Sequence, residues 1–425
     1  MSYTIPYNLY LDVNSPDLEG DIDFVGKEFK FKQKTQFRAL RSVLCNLFIA
    51  GDRHVMTRRK KESLGNKVEN PLEIGYRARN SAVDLLHKAG FVDMDKGDYL
   101  EGKETTIVAT EMLKAWFKTT KWTKEKITKR VNGYISVRDN RKFNNKAQLL
   151  DFRHTKYSRW LEDKLKDYNE LLNHQEITIE IDGRRYPYSH FHIIRPFIRH
   201  EIKTLESLED RDFIFGGRMY GPWANASGEE RKTILINGEE TIELDRDASH
   251  LNAMYQFVTG SPYQGIRGAY HLMIEGVEIP RFIVKKYSSL MQGSKSGYRS
   301  TSIRVTNSFK EDAEKKNASR EDIENYEIFL KWKEKYPPKL IIDKFLQKHE
   351  TIAKYYRRGK EFGDFISCWE SDILLEILID LTKREIPALS VYDSVIVPVQ
   401  NKQYVESIIN TMPYQDRKNI IERLA

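Results

Sequence analysis

Two short apolar segments around one acidic tripeptide place the strongest constraint on how this chain can fold. In residues 388–398, apolar and β-branched residues flank Tyr392-Asp393-Ser394 on both sides. The pattern predicts a β-hairpin with Asp393 at its tip. A carboxylate between two apolar strands is costly unless it is exposed or paired. The tip is therefore either an ordinary polar turn or a position where a carboxylate is required.

A second acidic residue stands where another predicted strand ends. The turn signal NGEET precedes a predicted strand over 241–244, and residues 249–257 have helical character. Asp245 would lie at this strand-to-helix junction, which is a common position for a metal ligand. The alternative is a helix N-cap, the more frequent role of such an aspartate. Asp247 is either a further ligand or a surface residue.

A basic segment predicts a helix with one polar face. Five residues recur at spacings i, i+4, i+7, i+8 and i+11, which places them on the same side of a helix: Arg281, Lys285, Ser288, Ser289 and Gln292. Two cations followed by hydroxyls and an amide suit a polyphosphate with a sugar and base beyond it. The alternative is a solvated basic face.

Taken together, the three segments predict nucleotidyl transfer. Asp245 and Asp393, on neighbouring strand ends, can hold two Mg²⁺ ions, with Mn²⁺ as a possible substitute. The cations of the basic helix can neutralise the β- and γ-phosphates of a nucleoside triphosphate. This equipment suits in-line attack of a 3′-hydroxyl on an α-phosphate.

The N-terminal part predicts a polar, loosely packed arm over residues 1–30 and a winged helix-turn-helix over 31–120. A helix begins at Lys34 and is stopped by Gly51, and a second follows over about 71–89. A Gly-containing hairpin with a return strand over 105–108 comes next, then a helix over 111–117. The residues that would contact DNA from the second helix are Arg77, Asn80 and Lys88. The alternative is a small α+β domain whose basic residues, including the RRKK loop at 58–61, are merely solvated.

Residues 121–209 predict a basic, helical connector. The segment contains an amphipathic helix over 154–174, a hairpin that turns at Asp182-Gly183, and a helical pattern over 190–205. The basic stretch at its start is a linker or a surface that faces nucleic acid, and the alternative is a solvated helix.

Residues 210–400 resemble the single-subunit, phage-type RNA polymerases and the family A DNA polymerases. ELDRDASHLNAMY resembles their motif A, RFIVKKYSSLMQGSKSGY motif B, and VYDSVIVP motif C. FGGRMYGPW resembles the arginine segment before motif A, and FISCWESDILLEILIDL the helix before motif C. The resemblance implies an α+β fold, with a palm of antiparallel sheet and helical fingers over 210–425 and the fingers at about 265–345. It also implies that the connector over 121–209 is thumb-like.

The resemblance also implies roles for individual residues. Asp245 and Asp393 would bind metal, Arg281 and the catalytic Lys285 the triphosphate, and Gln292 and His250 the sugar and base. Arg218 and Arg231 would touch primer, template or the catalytic centre. Tyr392 and Gln292 depart from the histidine and tyrosine of the family, and His250 stands where the DNA polymerases place a glutamate, so the choice of sugar stays open.

Composition adds two expectations, one for a partner and one for the cellular compartment. The 70 basic and 62 acidic residues give a net charge of +8, which is compatible with a DNA partner. Two distant cysteines and the lack of long apolar stretches or a signal-peptide pattern favour a cytoplasmic, nucleoid-associated protein without a membrane partner. A small polymerase that carries its own DNA-binding domain would suit replication or primer synthesis on a phage, plasmid or mobile element. The predicted function is thus a DNA-templated polymerase that extends a 3′-hydroxyl. The alternatives to it are an RNA polymerase and a DNA-binding replication initiator or regulator with a non-catalytic palm.

Overall fold

The chain has an α+β fold, as predicted, in two units that each have a core of their own. The computed structural model describes residues 4–7, 11–57, 70–97, 104–129, 132–140, 149–181, 183–188, 191–265, 267–292, 298–314, 320–356, 360–409 and 411–412. We call residues 4–129 the N-terminal unit and residues 132–412 the C-terminal unit. The RRKK loop, Asp182 of the predicted turn, and the end of the motif B segment at 293–297 lie outside the described residues.

The N-terminal unit combines helices with two small sheets. Its helices are α1 (Pro16–Glu28), α2 (Lys34–Ala50), α3 (Tyr76–Lys88) and α4 (Glu111–Thr119). Its strands are β1 (Thr4–Pro6), β2 (Leu11–Val13), β3 (His54–Thr57), β4 (Val92–Asp95), β5 (Thr105–Ala109) and β6 (Ile127–Lys129). One sheet has the order β1-β3-β5-β4, and β2 pairs with β6.

Local sequence explains the centre of this unit. The apolar positions of α2 recur at helical spacing, and Gly51 ends the helix with a φ of 61°. The buried Ala82, Val83 and Leu86 of α3 pack against it. The order of two helices, an antiparallel β4–β5 hairpin and a further helix is as predicted.

The prediction that residues 1–30 form a loose arm is wrong. Pro16–Glu28 is a helix with Leu18 and Ile22 fully buried in the core of the N-terminal unit. Strand β2 pairs with β6, so the unit reaches residue 129 rather than the predicted boundary at 120. The arm has few apolar residues, but α2 supplies the surface on which they are buried.

The C-terminal unit contains the remaining elements. Its helices are α5 (Lys156–Asn173), α6 (Gly228–Arg231), α7 (Ser249–Thr259), α8 (Arg281–Gln292), α9 (Tyr298–Glu314), α10 (Arg320–Lys335), α11 (Pro338–Lys348), α12 (Glu350–Ala353), α13 (Lys360–Lys383) and α14 (Lys402–Ile409). Its strands are β7 (Ile135–Asp139), β8 (Leu149–Leu150), β9 (Ile177–Ile181), β10 (Arg184–Tyr188), β11 (Arg195–Arg199), β12 (Leu235–Ile236), β13 (Glu239–Asp245), β14 (Leu272–Ile274), β15 (Val277–Ile279), β16 (Leu389–Val391) and β17 (Ser394–Pro398).

Two cores meet along α13. The sheet core lies on an antiparallel six-stranded sheet of order β10-β9-β12-β13-β17-β16 and includes α5 and the smaller sheet β11-β7-β8. The helical core is formed by α7 to α12 and the β14–β15 hairpin. Helix α13 supplies Cys368 and Ile373 to the sheet core but Phe365 and Trp369 to the helical core. Its buried carboxylates, Glu370 and Asp372, therefore lie between two apolar cores.

The predicted helical connector over 121–209 is also wrong. Only α5 among its described residues is an α-helix, and β9 and β10 join the six-stranded sheet as the predicted hairpin. The helical pattern over 190–205 is instead strand β11, which pairs in parallel with β7. The apolar residues of 190–205 are compatible with both a helical and a strand period. Pairing with β7 selects the strand.

Candidate active site

A cavity of about 540 Å³ opens where the sheet core and the helical core meet. It brings together residues that the sequence analysis singled out in separate segments: Arg218, Asp245, His250, Arg281, Lys285, Gln292 and Asp393. Helix α13 adds Gly363, Asp364 and Ser367 to the lining. The three motif segments thus share one concave surface, although 148 residues separate the two aspartates.

The two aspartates lie at the same end of paired strands. Asp245 ends β13 and is the cross-strand partner of Ser394, the first residue of β17. Asp393 stands in the turn between β16 and β17, where its carbonyl accepts the Arg246 N–H at 3.4 Å. Tyr392 precedes it with a φ of 54°, an uncommon conformation for a bulky residue. The hairpin with an acidic tip is as predicted, and its tip faces the cavity.

The charge around Asp393 suits a divalent cation. Burial and the negative charges of Glu370 and Asp245 raise the pKa of Asp393. No group of three or more His, Cys, Asp or Glu side chains in the described part of the chain is arranged to hold a metal. Mg²⁺ nevertheless needs only one or two protein carboxylates when water and substrate phosphates complete its shell. Asp245 and Asp393 therefore fit Mg²⁺ bound together with a phosphate ligand.

The basic face of α8 forms another wall of the cavity. Arg281, Lys285, Ser289 and Gln292 line it, whereas the predicted Ser288 is buried and hydrogen-bonds Tyr356 Oη at 2.9 Å. Lys285 is exposed, and no carboxylate of the described residues pairs with it. This wall can accept a polyanion, since it presents a cation that no carboxylate in the described ranges neutralises.

Two contacts define the ends of that wall. At one end, Arg281 Nη2 lies 3.1 Å from Asp247 Oδ1 and its guanidinium stands 5.4 Å from the centre of the Tyr270 ring. Both members of the ion pair are more than half exposed, so the pair contributes little stability and can exchange for another anion. At the other end, Gln292 is buried and its Nε2 lies 3.6 Å from Met254 Sδ.

Glu370 of α13 is a charged residue of this site that sequence reasoning missed. Its side chain is 1% exposed, and its oxygens accept Arg218 Nη2 at 3.1 Å and His250 Nδ1 at 2.9 Å. Burial opposes its ionisation, but the charges of His250 and Arg218 and hydrogen bonds from His250 and Ser249 hold the pKa of Glu370 at about 2. A glutamate inside an apolar helix such as FISCWESDILLEI is a signal that could have found it, because such a position is buried on every side.

A glycine pair sets the direction of Arg218. Gly216 and Gly217 both have a φ near 70°, and a Cβ on Gly217 would approach Phe197 Cε1 to 2.7 Å. The Gly217 N–H donates to Pro196 O at 2.8 Å, and the Gly217 carbonyl accepts Arg195 Nε at 2.6 Å. Arg218 is thereby placed with its guanidinium 5.7 Å from the centre of the Tyr392 ring.

A buried ion pair supports this loop from behind. Arg195 Nη2 lies 2.6 Å from Asp372 Oδ1, and both side chains are almost completely buried. Tyr157 Oη donates to the same carboxylate oxygen at 3.2 Å. The pair joins β11 to α13, and sequence reasoning gave neither residue a role.

Other predicted residues lie away from the cavity lining. Arg231 makes two bonds to the carboxylate of Glu243, of 2.8 and 3.0 Å, and Glu243 also accepts Ser394 Oγ at 2.8 Å. Arg77 and Lys88 are exposed on α3 in the N-terminal unit, and Asn80 is half-buried there.

Comparisons of the chain with protein-family models, with curated proteins and with solved structures found no match. None of the helices in the described ranges combines the length and apolar character needed to cross a bilayer. The chemistry of the cavity is therefore the observation from which a function can be inferred.

Proposed function

We propose that the chain is a DNA-templated nucleotidyltransferase that extends a 3′-hydroxyl with nucleoside triphosphates, with two Mg²⁺ ions or Mn²⁺ as cofactor. One observation carries the proposal: Asp245 and Asp393, at the ends of paired strands, share a cavity with Arg281 and Lys285 of α8. In this proposal the six-stranded sheet is the palm of a polymerase and α8 to α11 are its fingers.

The roles of the side chains follow from their environments. Asp245 and Asp393 would hold the metal ions, which when bound lower the pKa of the attacking hydroxyl and stabilise the leaving pyrophosphate. Lys285, with no carboxylate partner among the described residues, would bind the β- and γ-phosphates as the catalytic cation. Arg281 would exchange its exposed contact with Asp247 for a phosphate oxygen.

Arg218 and Arg231, the two arginines predicted for the palm, would have different roles. Arg218, beside the Tyr392-Asp393 turn, would touch the primer or template strand. Arg231 would instead hold β13, since two of its nitrogens are bonded to Glu243 and a third donates to Ala226 O at 2.9 Å. That arrangement makes Arg231 a support for the strand that carries Asp245.

In the same proposal the N-terminal unit is a winged helix that binds duplex DNA. Helix α3 would enter the major groove with Arg77, Asn80 and Lys88, and the β4–β5 hairpin would approach the phosphates. A polymerase with its own DNA-binding unit would suit replication of a phage, plasmid or mobile element, at the nucleoid in the cytoplasm.

Primer extension on a single-stranded template tests the proposal. The substitutions Asp245→Asn and Asp393→Asn keep the size of each side chain but remove its charge, and we expect each to lower incorporation by about 1000-fold. Glu240→Gln is the matched control, because Glu240 is an exposed carboxylate earlier on the same strand. Asp247→Asn tests directly whether that carboxylate is a ligand.

Each result of this experiment has a distinct meaning. Retained extension in both aspartate variants would reject the two-metal assignment. An inactive wild-type chain that still binds duplex DNA would favour the replication initiator with a non-catalytic palm. Incorporation of ribonucleotides alone, in a reaction that supplies all eight nucleotides, would favour the RNA polymerase.

A further inference from the structure

The imidazole of His250 is held by α13 at both of its nitrogens. Nδ1 lies 2.9 Å from Glu370 Oε1, and Nε2 lies 3.2 Å from Ser367 Oγ. The side chain is 24% exposed and lines the cavity. Part of the ring therefore faces the cavity while both polar atoms face the helix.

His250 lies on α7 between the two ends of the basic wall of α8, because Asp247, three residues earlier, pairs with Arg281 at 3.1 Å. Met254 follows His250 by one turn of α7, so both lie on the same face of that helix, and Met254 Sδ contacts Gln292 Nε2. Gln292 is eleven residues from Arg281, which corresponds to about 16 Å along the helix. If the proposed function holds and the phosphates bind at Arg281 and Lys285, the sugar and base extend along this wall past His250 toward Gln292.

The hydrogen bonds of the imidazole to Glu370 and Ser367 determine which atoms His250 presents to that sugar. An ionised glutamate only accepts hydrogen bonds, so Nδ1 must carry a proton when it bonds to Glu370. Nε2 is engaged by Ser367, and no nitrogen is left to bond a ligand. A hydroxyl placed against this carbon edge would lose its bonds to water without replacement, which weakens binding by about 10- to 100-fold.

We infer that Glu370 is a positioning residue for sugar selection, and that by holding His250 against α13 it makes the site prefer deoxyribonucleoside triphosphates. The inference deepens the proposed function and depends on it for the orientation of the nucleotide. Glu370 also forms an ion pair with Arg218, whose guanidinium stands over the Tyr392 ring next to Asp393. Glu370 therefore positions both His250 and Arg218.

Substitution of Glu370 by methionine tests the inference. Methionine has a similar volume but accepts no strong hydrogen bond, so the imidazole is released while the space stays filled. We expect the ratio of kcat/KM for dNTP over NTP to fall by about tenfold in Glu370→Met and in His250→Ala. The double variant should show no further fall, because both changes remove the same wall.

A matched control comes from the same helix. His200 Nε2 lies 3.0 Å from Asp364 Oδ2, a histidine–carboxylate pair that resembles the one at Glu370, and His200 does not line the cavity. His200→Gln should leave the sugar ratio unchanged. Ser367→Ala removes the hydrogen bond to His250 Nε2 and should lower the dNTP-over-NTP ratio by about threefold. If Glu370→Met does not fold, Ser367→Ala is the variant that tests the inference.

A readout that needs no catalysis separates this inference from the proposed function. Nitrogen-15 NMR of the histidines should show His250 protonated at Nδ1 in the unmodified chain and no longer so in Glu370→Met. An unchanged sugar ratio in a folded Glu370→Met, or equal use of both sugars by the unmodified chain, would overturn the inference. Absence of incorporation with either sugar would reject the proposed function and the sugar preference with it, while the NMR signal would still decide whether Glu370 positions His250.

Discussion

The two units of the molecule place their charges differently. In the N-terminal unit the described residues with buried charge are Asp12 and Arg79. In the C-terminal unit they are Arg195, Arg246, Glu370 and Asp372, together with the imidazoles of His192, His200 and His349. The N-terminal unit thus keeps most of its charge at the surface, whereas the C-terminal unit encloses charge between its two cores.

This contrast indicates two ways of preparing a protein for an anionic ligand. Exposed cations such as Arg77 and Lys88 can bind a polyanion with almost no effect on folding. Charges enclosed next to a cavity, such as Glu370, hold neighbouring groups in fixed directions, but they must be paired to be tolerated. Substitution of an enclosed charge should therefore lower stability, whereas substitution of an exposed cation on α3 should mainly change ligand binding.

The largest effect on stability is expected at the Arg195–Asp372 pair. Asp372→Asn should destabilise the C-terminal unit by about 3–5 kcal/mol, because it leaves the buried guanidinium of Arg195 without its counter-charge. Replacing both residues by Met and Leu should recover much of that loss. Urea unfolding measures both variants.

The control for this pair is Lys166→Met. Lys166 pairs with Glu170 at 3.8 Å on the surface of α5, and its loss should change stability by less than about 0.5 kcal/mol. Equal effects at the buried and the exposed pair would remove the proposed difference between enclosed and surface charge.

A pH-dependent effect is expected at His349. Burial and the charge of Lys348 lower the pKa of His349 to about 4, although its bond to the Ala269 carbonyl opposes the shift. In the unfolded chain the imidazole of His349 becomes protonated below about pH 6.5, whereas in the folded chain it stays neutral until about pH 4. The contribution of His349 to the free energy of unfolding should therefore be fully present above pH 6.5. It should be lost as the pH falls toward 4, by up to about 3 kcal/mol.

Urea midpoints at pH 7.5 and pH 5 measure this fall, and His349→Gln should make it shallower. The window differs from that of Glu370, whose depressed pKa of about 2 gives stability that is lost mostly below about pH 4.5. Parallel curves for the wild type and His349→Gln between pH 7.5 and 5 would contradict the assignment.

The smallest effect on stability is expected on α3. Arg77→Ala and Lys88→Ala should change the unfolding free energy by less than about 0.5 kcal/mol, since both side chains are exposed. Each should weaken binding to duplex DNA and lower the slope of log K against log salt by about 1, if it contacts a phosphate. Lys118→Ala, an exposed cation on α4, is the control and should leave that slope unchanged.

Local sequence predicted the elements whose limits are set by near neighbours. Helix α2 begins at Lys34 and ends before Gly51, as the helical period and a glycine with positive φ require. The predicted helix over 154–174 is observed at Lys156–Asn173. Both acidic strand ends were also predicted, because a strand and the turn after it are separated by only a few residues.

The failed predictions concern segments whose neighbours are distant in sequence. Residues 190–205 contain the strand β11 because β7, about 60 residues earlier, offers its edge. Residues 16–28 are a packed helix because α2 covers Leu18 and Ile22. A periodic pattern cannot reveal these partners, since it describes only one side of each contact.

The sequence by itself determined which side chains could do chemistry: two carboxylates at strand ends and a helix face with Arg281 and Lys285. Only the tertiary structure decided that they share one cavity, because β13 and β17 pair across more than 140 residues. It also decided the state of Glu370, which is buried and yet ionised. Its partners Arg218 and His250 lie 152 and 120 residues away, and the free energy of a buried charge depends on which charges the fold brings beside it.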